Sequence, residues 1–206
     1  MISGGTHDEE RFFVFFQFDA TGNPLTAAQY PDSVAAFIGL PTSDPFIQFL
    51  VNFEYPLSNY PAPAPPLALS ALETDVTFAC PERNSVQFLS QNVPTYAYEF
   101  NDENSPALFA NGSSFPLGAY HGSELQYLFN STPSAAFSAD QHALSDSMIS
   151  YWTTFAANGD PNSAGQPVWS PYDPGADEFQ SLVPPTPMVE STFDGDHKCS
   201  SFWNTF

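Results

Sequence analysis

The sequence predicts one compact domain that holds both helix and strand, and three observations carry that reading. The segment NVPTYAYEF alternates with the two-residue period of a strand, and residues 139–157 follow the 3.6-residue period of a capped helix. The 206 residues are 42% hydrophobic and 16% aromatic, with 21 Phe, a composition that buries a core rather than staying disordered. The 21 Pro and the 13% share of charged residues point to long, turn-rich connections around that core. A domain of this length buries roughly 70% of the surface its unfolded chain exposes. No repeat or linker divides it.

The elements follow in order. Residues 1–18, MISGGTHDEERFFVFFQF, read as a strand end, a glycine-marked turn and the start of a buried helix or extended segment. Residues 19–72 alternate Pro- and Gly-marked turns with short apolar pieces such as PFIQFLVNF, ending in PAPAPP, a stiff polyproline-like connection. Residues 74–91, TDVTFACPERNSVQFLSQ, look helical with an interruption at Pro81, which lacks a backbone donor. In the strand, Tyr96, Tyr98 and Phe100 share one heavily aromatic face, opposite Thr95, Ala97 and Glu99. Residues 101–117 form a loop containing the sequon Asn111-Gly112-Ser113, and Asn130-Ser131-Thr132 is a second.

The clearest helix has a capping box in Ser138 and Gln141, a core stripe of Leu144, Met148, Trp152 and Phe155, and a stop at Asn158-Gly159. After it, DPNSAGQPVWSPYDPG reads as a turn-rich surface segment.

Charge excludes whole classes of partner. Three basic residues, Arg11, Arg83 and Lys198, face 23 acidic ones, for a net charge of −20. Nucleic acid and anionic membranes are repelled, because their binding draws on Lys and Arg. The acidity reads as solubility. No apolar run reaches the roughly 18 residues of a membrane span. The opening MISGGTHDEE has neither a basic n-region nor an apolar h-region, so it does not read as a signal peptide. Cys80 and Cys199 stand far apart with no CxxC spacing and no nearby His pair, so no metal site is expected. Their positions alone leave open one disulfide or two buried thiols.

Candidate chemistry centres on GAYHGSELQYLF, where His121 stands among small residues. A lone His beside glycine is structural by default. As a general base it needs a nucleophile to deprotonate and an acid to fix its tautomer. Acids are plentiful here, so composition does not choose one.

Five separated pieces resemble type-B carboxylesterases, the cholinesterase and fungal-lipase family of α/β-hydrolases, and stand in that family's order. GGTHDEERFFV resembles the strand end G-x-x-x-DEG-x-F-F, and TDVTFACPE resembles the helix TD-x-x-F-x-CP. PLGAYHGSELQYLF resembles the catalytic-histidine segment, YWTTFAANGDPN the helix end W-x-x-FA-x-x-G-x-P-N, and CSSFWNTF the cysteine-FW ending. The likeness covers nearly the whole chain. It implies the C-terminal part of an α/β-hydrolase fold, mostly helices and loops with the last strands of the sheet, as one segment over residues 1–206.

The resemblance also implies roles. Glu9 falls on the triad acid and His121 on the triad base, and acid before His is the chain order of this fold. The sequence departs from the pattern at Glu10, where the family usually has Gly. Cys80 and Cys199 fall on a disulfide-bonded pair, which implies an oxidising, secreted setting and a loop closure that stabilises by roughly 4–5 kcal/mol. The chemistry implied is hydrolysis of a carboxylic ester, with no cofactor.

The nucleophile elbow G-x-S-x-G occurs nowhere in the 206 residues, and Ser3 and Ser123 do not match it. The sequence is therefore expected to be inactive alone, a fragment whose partner is a complementary N-terminal chain. Its incomplete core would leave apolar surface exposed. The alternative is a non-catalytic, cholinesterase-like module for protein interaction.

Overall fold

The computed structural model describes residues 1–108, 112–129 and 136–205. Asn111 and Asn130, the two sequon residues, lie outside these.

The first 18 residues fold as read. Strand β1 (Ile2–Thr6) turns through His7–Glu9 into helix α1 (Glu10–Gln17). Residues 19–72, expected to be turns and short apolar pieces, hold more helix than their punctuation suggests. Helix α2 spans Tyr30–Ile38, with proline in its first turn and Gly39 in the left-handed conformation at its end. Helix α3 (Pro45–Phe49) is capped by Asp44, whose carboxylate accepts from the Phe46 amide at 2.8 Å, and a π-helical turn follows. PAPAPP is not a polyproline connection throughout. Helix α4 (Ala64–Thr74) begins inside it, because prolines in a first helical turn sacrifice only donors that have no partner there.

The interruption expected at Pro81 is a π-helical turn, Asp75–Ala79, from which helix α5 (Cys80–Ser90) starts with Pro81 in its first turn. Strand β2 (Tyr96–Phe100), short helix α6 (Leu125–Leu128) and long helix α7 (Ala139–Asn158) follow. Strands β3 (Phe179–Leu182) and β4 (Met188–Glu190) and helix α8 (Phe193–Asp196) complete the order.

The sheet runs β1-β2-β3-β4, with β1, β2 and β3 parallel and β4 antiparallel to β3. Parallel strands need both faces covered, and both are. The aromatic face of β2 packs on α7, with Tyr98 against Trp152 at 5.3 Å and Tyr96 against Phe155 at 5.9 Å between ring centroids. On the other face, Ala97 joins Ala79 and Val86 of the α5 region, together with Tyr172, Phe179 and Phe193. A separate core beside the sheet joins α1, α2 and α4 through Val14, Val34, Leu67 and Leu72.

The segment read as surface, residues 160–175, is anchored in this core. Trp169 is fully buried against Tyr151 and donates its indole N–H to the Ala97 carbonyl at 3.0 Å. A buried aromatic holds down a chain that its prolines keep from forming a regular element.

The capping box of α7 is complete. Ser138 Oγ accepts from the Gln141 amide at 3.2 Å, and Gln141 Oε1 accepts from the Ser138 amide at 2.9 Å. Replacing Ser138 with alanine is expected to cost about 1 kcal/mol. A melting curve checks this, with Tm lowered by about 2–4 °C. Cys80, at the start of α5, is disulfide-bonded to Cys199, 119 residues away.

Candidate functional site

The parallel pairing of β1 and β2 sends both strands out at the same edge of the sheet. Glu9 follows β1 directly, and the chain after β2 returns to that edge at residues 117–121. The fold thus brings together two residues 112 positions apart: His121 Nδ1 lies 2.5 Å from Glu9 Oε2.

Glu9 is held at both oxygens. Its Oε1 accepts the Thr6 amide at 2.8 Å, and Oε2 faces the imidazole. The side chain is 7% exposed, so the carboxylate works in a shielded setting. Gly5 makes room for it, since a Cβ there would meet Glu9 Oε1 at 2.9 Å.

His121 is the open member of the pair, its side chain 46% exposed. Its ring is flanked by Phe13 at 5.2 Å, Phe78 at 5.5 Å and Phe12 at 5.9 Å. The hydrogen bond to Glu9 raises the imidazole's pKa, against the opposing effect of burial. With Nδ1–H donated to Glu9, the ring presents Nε2 as its acceptor. Among the described residues no hydrogen bond occupies Nε2.

Glu10 points elsewhere. Its amide donates to Thr74 Oγ1 at 3.0 Å, and its carboxyl pairs with Glu73 of α4. Burial, the Glu10 charge and their shared hydrogen bond push Glu73 up to about 8, so one proton joins the two acids near neutral pH. Glu10 therefore fastens α1 to α4 while Glu9 faces the histidine.

The serines near the pair are otherwise engaged or enclosed. Ser3 Oγ donates to Glu82 Oε1 at 2.6 Å, and Ser123 is fully buried. Neither is hydrogen-bonded to His121.

Sequence reading missed a second polar centre behind this edge. His197 donates to Asp75 Oδ1 at 2.6 Å from Nδ1 and to Glu99 Oε1 at 2.7 Å from Nε2. Burial disfavours charge on this ring, but the bonds to Asp75 and Glu99 overcome it and raise its pKa to about 10. Tyr55 donates to the other oxygen of Asp75 at 2.7 Å. His7, Glu99 and His197 have the composition a metal site needs, with donor atoms within 4.8 Å of one another. The 2.7 Å between Nε2 and Oε1 is nevertheless a hydrogen-bond distance, below the roughly 3.3 Å between two ligands of a tetrahedral zinc. These residues sit at positions 7, 75, 99 and 197, and no local spacing in the sequence announces their meeting.

Comparison with known proteins agrees with this architecture. The family model described as "Carboxylesterase family" matches residues 1–199. Bile salt-activated lipase of Rattus norvegicus is 30% identical over 142 residues, covering 65% of this chain and 22% of the relative. Cocaine esterase of Homo sapiens is 33% identical over 102 residues, covering 48% of this chain and 18% of the relative. Acylcarnitine hydrolase of Mus musculus is 30% identical over 114 residues, covering 54% and 20%. The chain thus spans about a fifth of the length of the curated relatives it matches. Its α/β sheet, the edge where Glu9 meets His121 and the match along residues 1–199 give one conclusion: the chain belongs to the carboxylesterase family.

Proposed function

We propose that the chain supplies the acid and the general base of a secreted serine esterase that hydrolyses carboxylic esters. The observation that carries this reading is the 2.5 Å contact between Glu9 and an imidazole whose Nε2 has no hydrogen bond among the described residues. In it, Nε2 takes the proton of a serine hydroxyl as that oxygen attacks the ester carbonyl. It then returns the proton to the departing alkoxide, leaving an acyl-serine that water hydrolyses by the same relay. Glu9 fixes the Nδ1–H tautomer and stabilises the imidazolium formed in each step. The names of the lipase, esterase and hydrolase relatives support an ester substrate. The aromatic rings around His121 favour an apolar acyl or alcohol group.

In this reading the serine and the oxyanion-hole donors come from polypeptide outside the 206 residues, and residues 1–206 are the C-terminal part of one hydrolase domain. Strand β1 pairs with β2 along one edge, and its other edge has no partner strand among the described residues. A parallel strand with an open edge is suited to continuation of the sheet. The disulfide supports an oxidising compartment. No helix of the described residues is long and apolar enough to cross a membrane.

Reading the coding DNA upstream of Met1 tests the proposal. An in-frame G-x-S-x-G is expected. A start site with its own promoter and no such motif would favour the interaction module instead. Turnover of p-nitrophenyl butyrate by the 206-residue chain, abolished by His121→Ala, would show that the nucleophile lies within it.

A further inference from the structure

His121 reaches Glu9 from a loop, and its own backbone tie to that residue is weak: the His121 amide lies 3.4 Å from the Glu9 carbonyl. The short ties lie one residue before Glu9 and two residues before His121. The Asp8 amide donates to the Ala119 carbonyl at 2.9 Å, and the Asp8 carboxylate accepts the Ala119 amide on Oδ2 at 3.0 Å. The backbone of the histidine loop is thus gripped by a side chain adjacent in sequence to Glu9.

Every part of that grip is itself held. Asp8 is 6% exposed, and its Oδ1 receives Arg11 Nη2 at 2.9 Å and His7 Nδ1 at 3.1 Å. Burial would push the Asp8 carboxyl up, but His7, Arg11 and the Ala119 amide hold it below its ordinary value, so it acts as an anion. Arg11 also donates from Nη1 to the Pro116 carbonyl at 3.3 Å, a second hold on the same loop. Gly118 has φ +62, and a Cβ there would lie 2.1 Å from Asp8 Oδ2. The loop and the carboxylate approach so closely that only glycine fits between them.

We propose that Asp8, braced by Arg11, is a positioning residue that sets the His121 ring on Glu9 by clamping the backbone of residues 116–119. This rests on the assignment of Glu9 and His121 as an acid–base pair. The reason for the clamp is geometric. The flanking phenylalanines pack on a half-exposed ring, but the backbone of its loop sets where that ring sits, and a displacement of about 1 Å removes a productive contact. Asp8 and Arg11 contact the loop backbone and each other rather than the His121 ring, so they act through the placement of the loop.

Proton NMR of the 206-residue chain tests this. The wild type is expected to show a downfield Nδ1–H resonance for His121 and a ring that titrates above 6.5. Glu9 acts most strongly on that titration, with Glu124 and Glu10 the other acids that act on it. In Asp8→Ala the downfield resonance is expected to vanish and the titration to fall back towards 6.5, while the indole resonance of buried Trp169 stays in place. Arg11→Ala, which leaves the Asp8 carboxylate on Ala119, is expected to weaken the resonance without removing it, and serves if Asp8→Ala does not fold. A purely structural role for Asp8 predicts a lower Tm with the His121 titration unmoved, and that result would overturn the proposal. An unmoved titration in folded Arg11→Ala would overturn the bracing role of Arg11. The readout needs no ester hydrolysis, so the clamp and the assigned activity can fail independently.

Discussion

Replacing both Cys80 and Cys199 with serine is expected to lower the unfolding free energy by about 5 kcal/mol and Tm by roughly 10–20 °C. The bond closes a loop across 119 residues, so in the chain-entropy account it removes many conformations from the unfolded chain. It also joins two places that matter to the packing. Cys80 starts α5 just after the π-helical turn containing Asp75, and Cys199 lies two residues from His197, which binds Asp75. Losing the bond therefore loosens the C-terminal segment where it supports the buried polar centre. Thermal melts with and without dithiothreitol check the effect. Reductant should lower the wild-type Tm and leave the double serine variant unchanged. Equal Tm values for oxidised and reduced wild type would contradict the expectation.

The second large effect is on pH. Stability is expected to peak near pH 5 and to fall by on the order of 3–5 kcal/mol by pH 9, lowering Tm by about 10 °C. Glu73 is pushed from 4.5 to about 8, first by burial and then by Glu10. A folded-state pKa above the unfolded one means that its contribution is complete below 4.5 and is lost as pH rises through 8. His197 is raised from 6.5 to about 10, where Asp75 and Glu99 outweigh burial, so its contribution is complete below 6.5 and is lost as pH rises through 10.

The acid limb has the opposite origin. Asp8 and Glu99 are buried, yet His7 and His197 respectively hold them below their ordinary values, so their contributions disappear as pH falls through the folded values. Self-repulsion at a net charge of −20 reinforces the alkaline loss. Calorimetry from pH 4 to 10 gives the curve. Glu73→Gln should flatten it between pH 5 and 6.5 and make it shallower up to 8, keeping the decline that His197 causes above 6.5. A Tm that rises from pH 5 to 9 would contradict the assignment of these groups.

What was legible in the sequence was what local periodicity encodes. β2 and α7 announced themselves by alternation, by the Ser138–Gln141 box and by Gly159. The helices of residues 30–74 did not, because Pro31, Pro45, Pro65 and Pro66 read as breaks although each lies in the first turn of a helix. Strands β3 and β4 have only four and three residues and gave no period to detect.

The candidate site divides the same way. His121 and Glu9 were found through segments that resemble a family, and the parallel exit of β1 and β2 explains why they meet. The role of Asp8 was hidden although the residue stands in the GGTHDEERFFV segment, since its contact on the histidine loop is a backbone amide that nearly any residue at 119 would offer. The His197 centre was hidden because Asp75, Glu99 and His197 come from three distant elements that only the folded sheet edge brings together.

Hydrolysis of p-nitrophenyl butyrate by the polypeptide of the whole reading frame tests the role of Glu9 and His121 most directly. His121→Ala and Glu9→Gln are each expected to lower kcat by about 10⁴-fold with the fold intact by circular dichroism. Turnover by either variant at the wild-type rate would contradict an acid–base pair at the edge where β1 and β2 end.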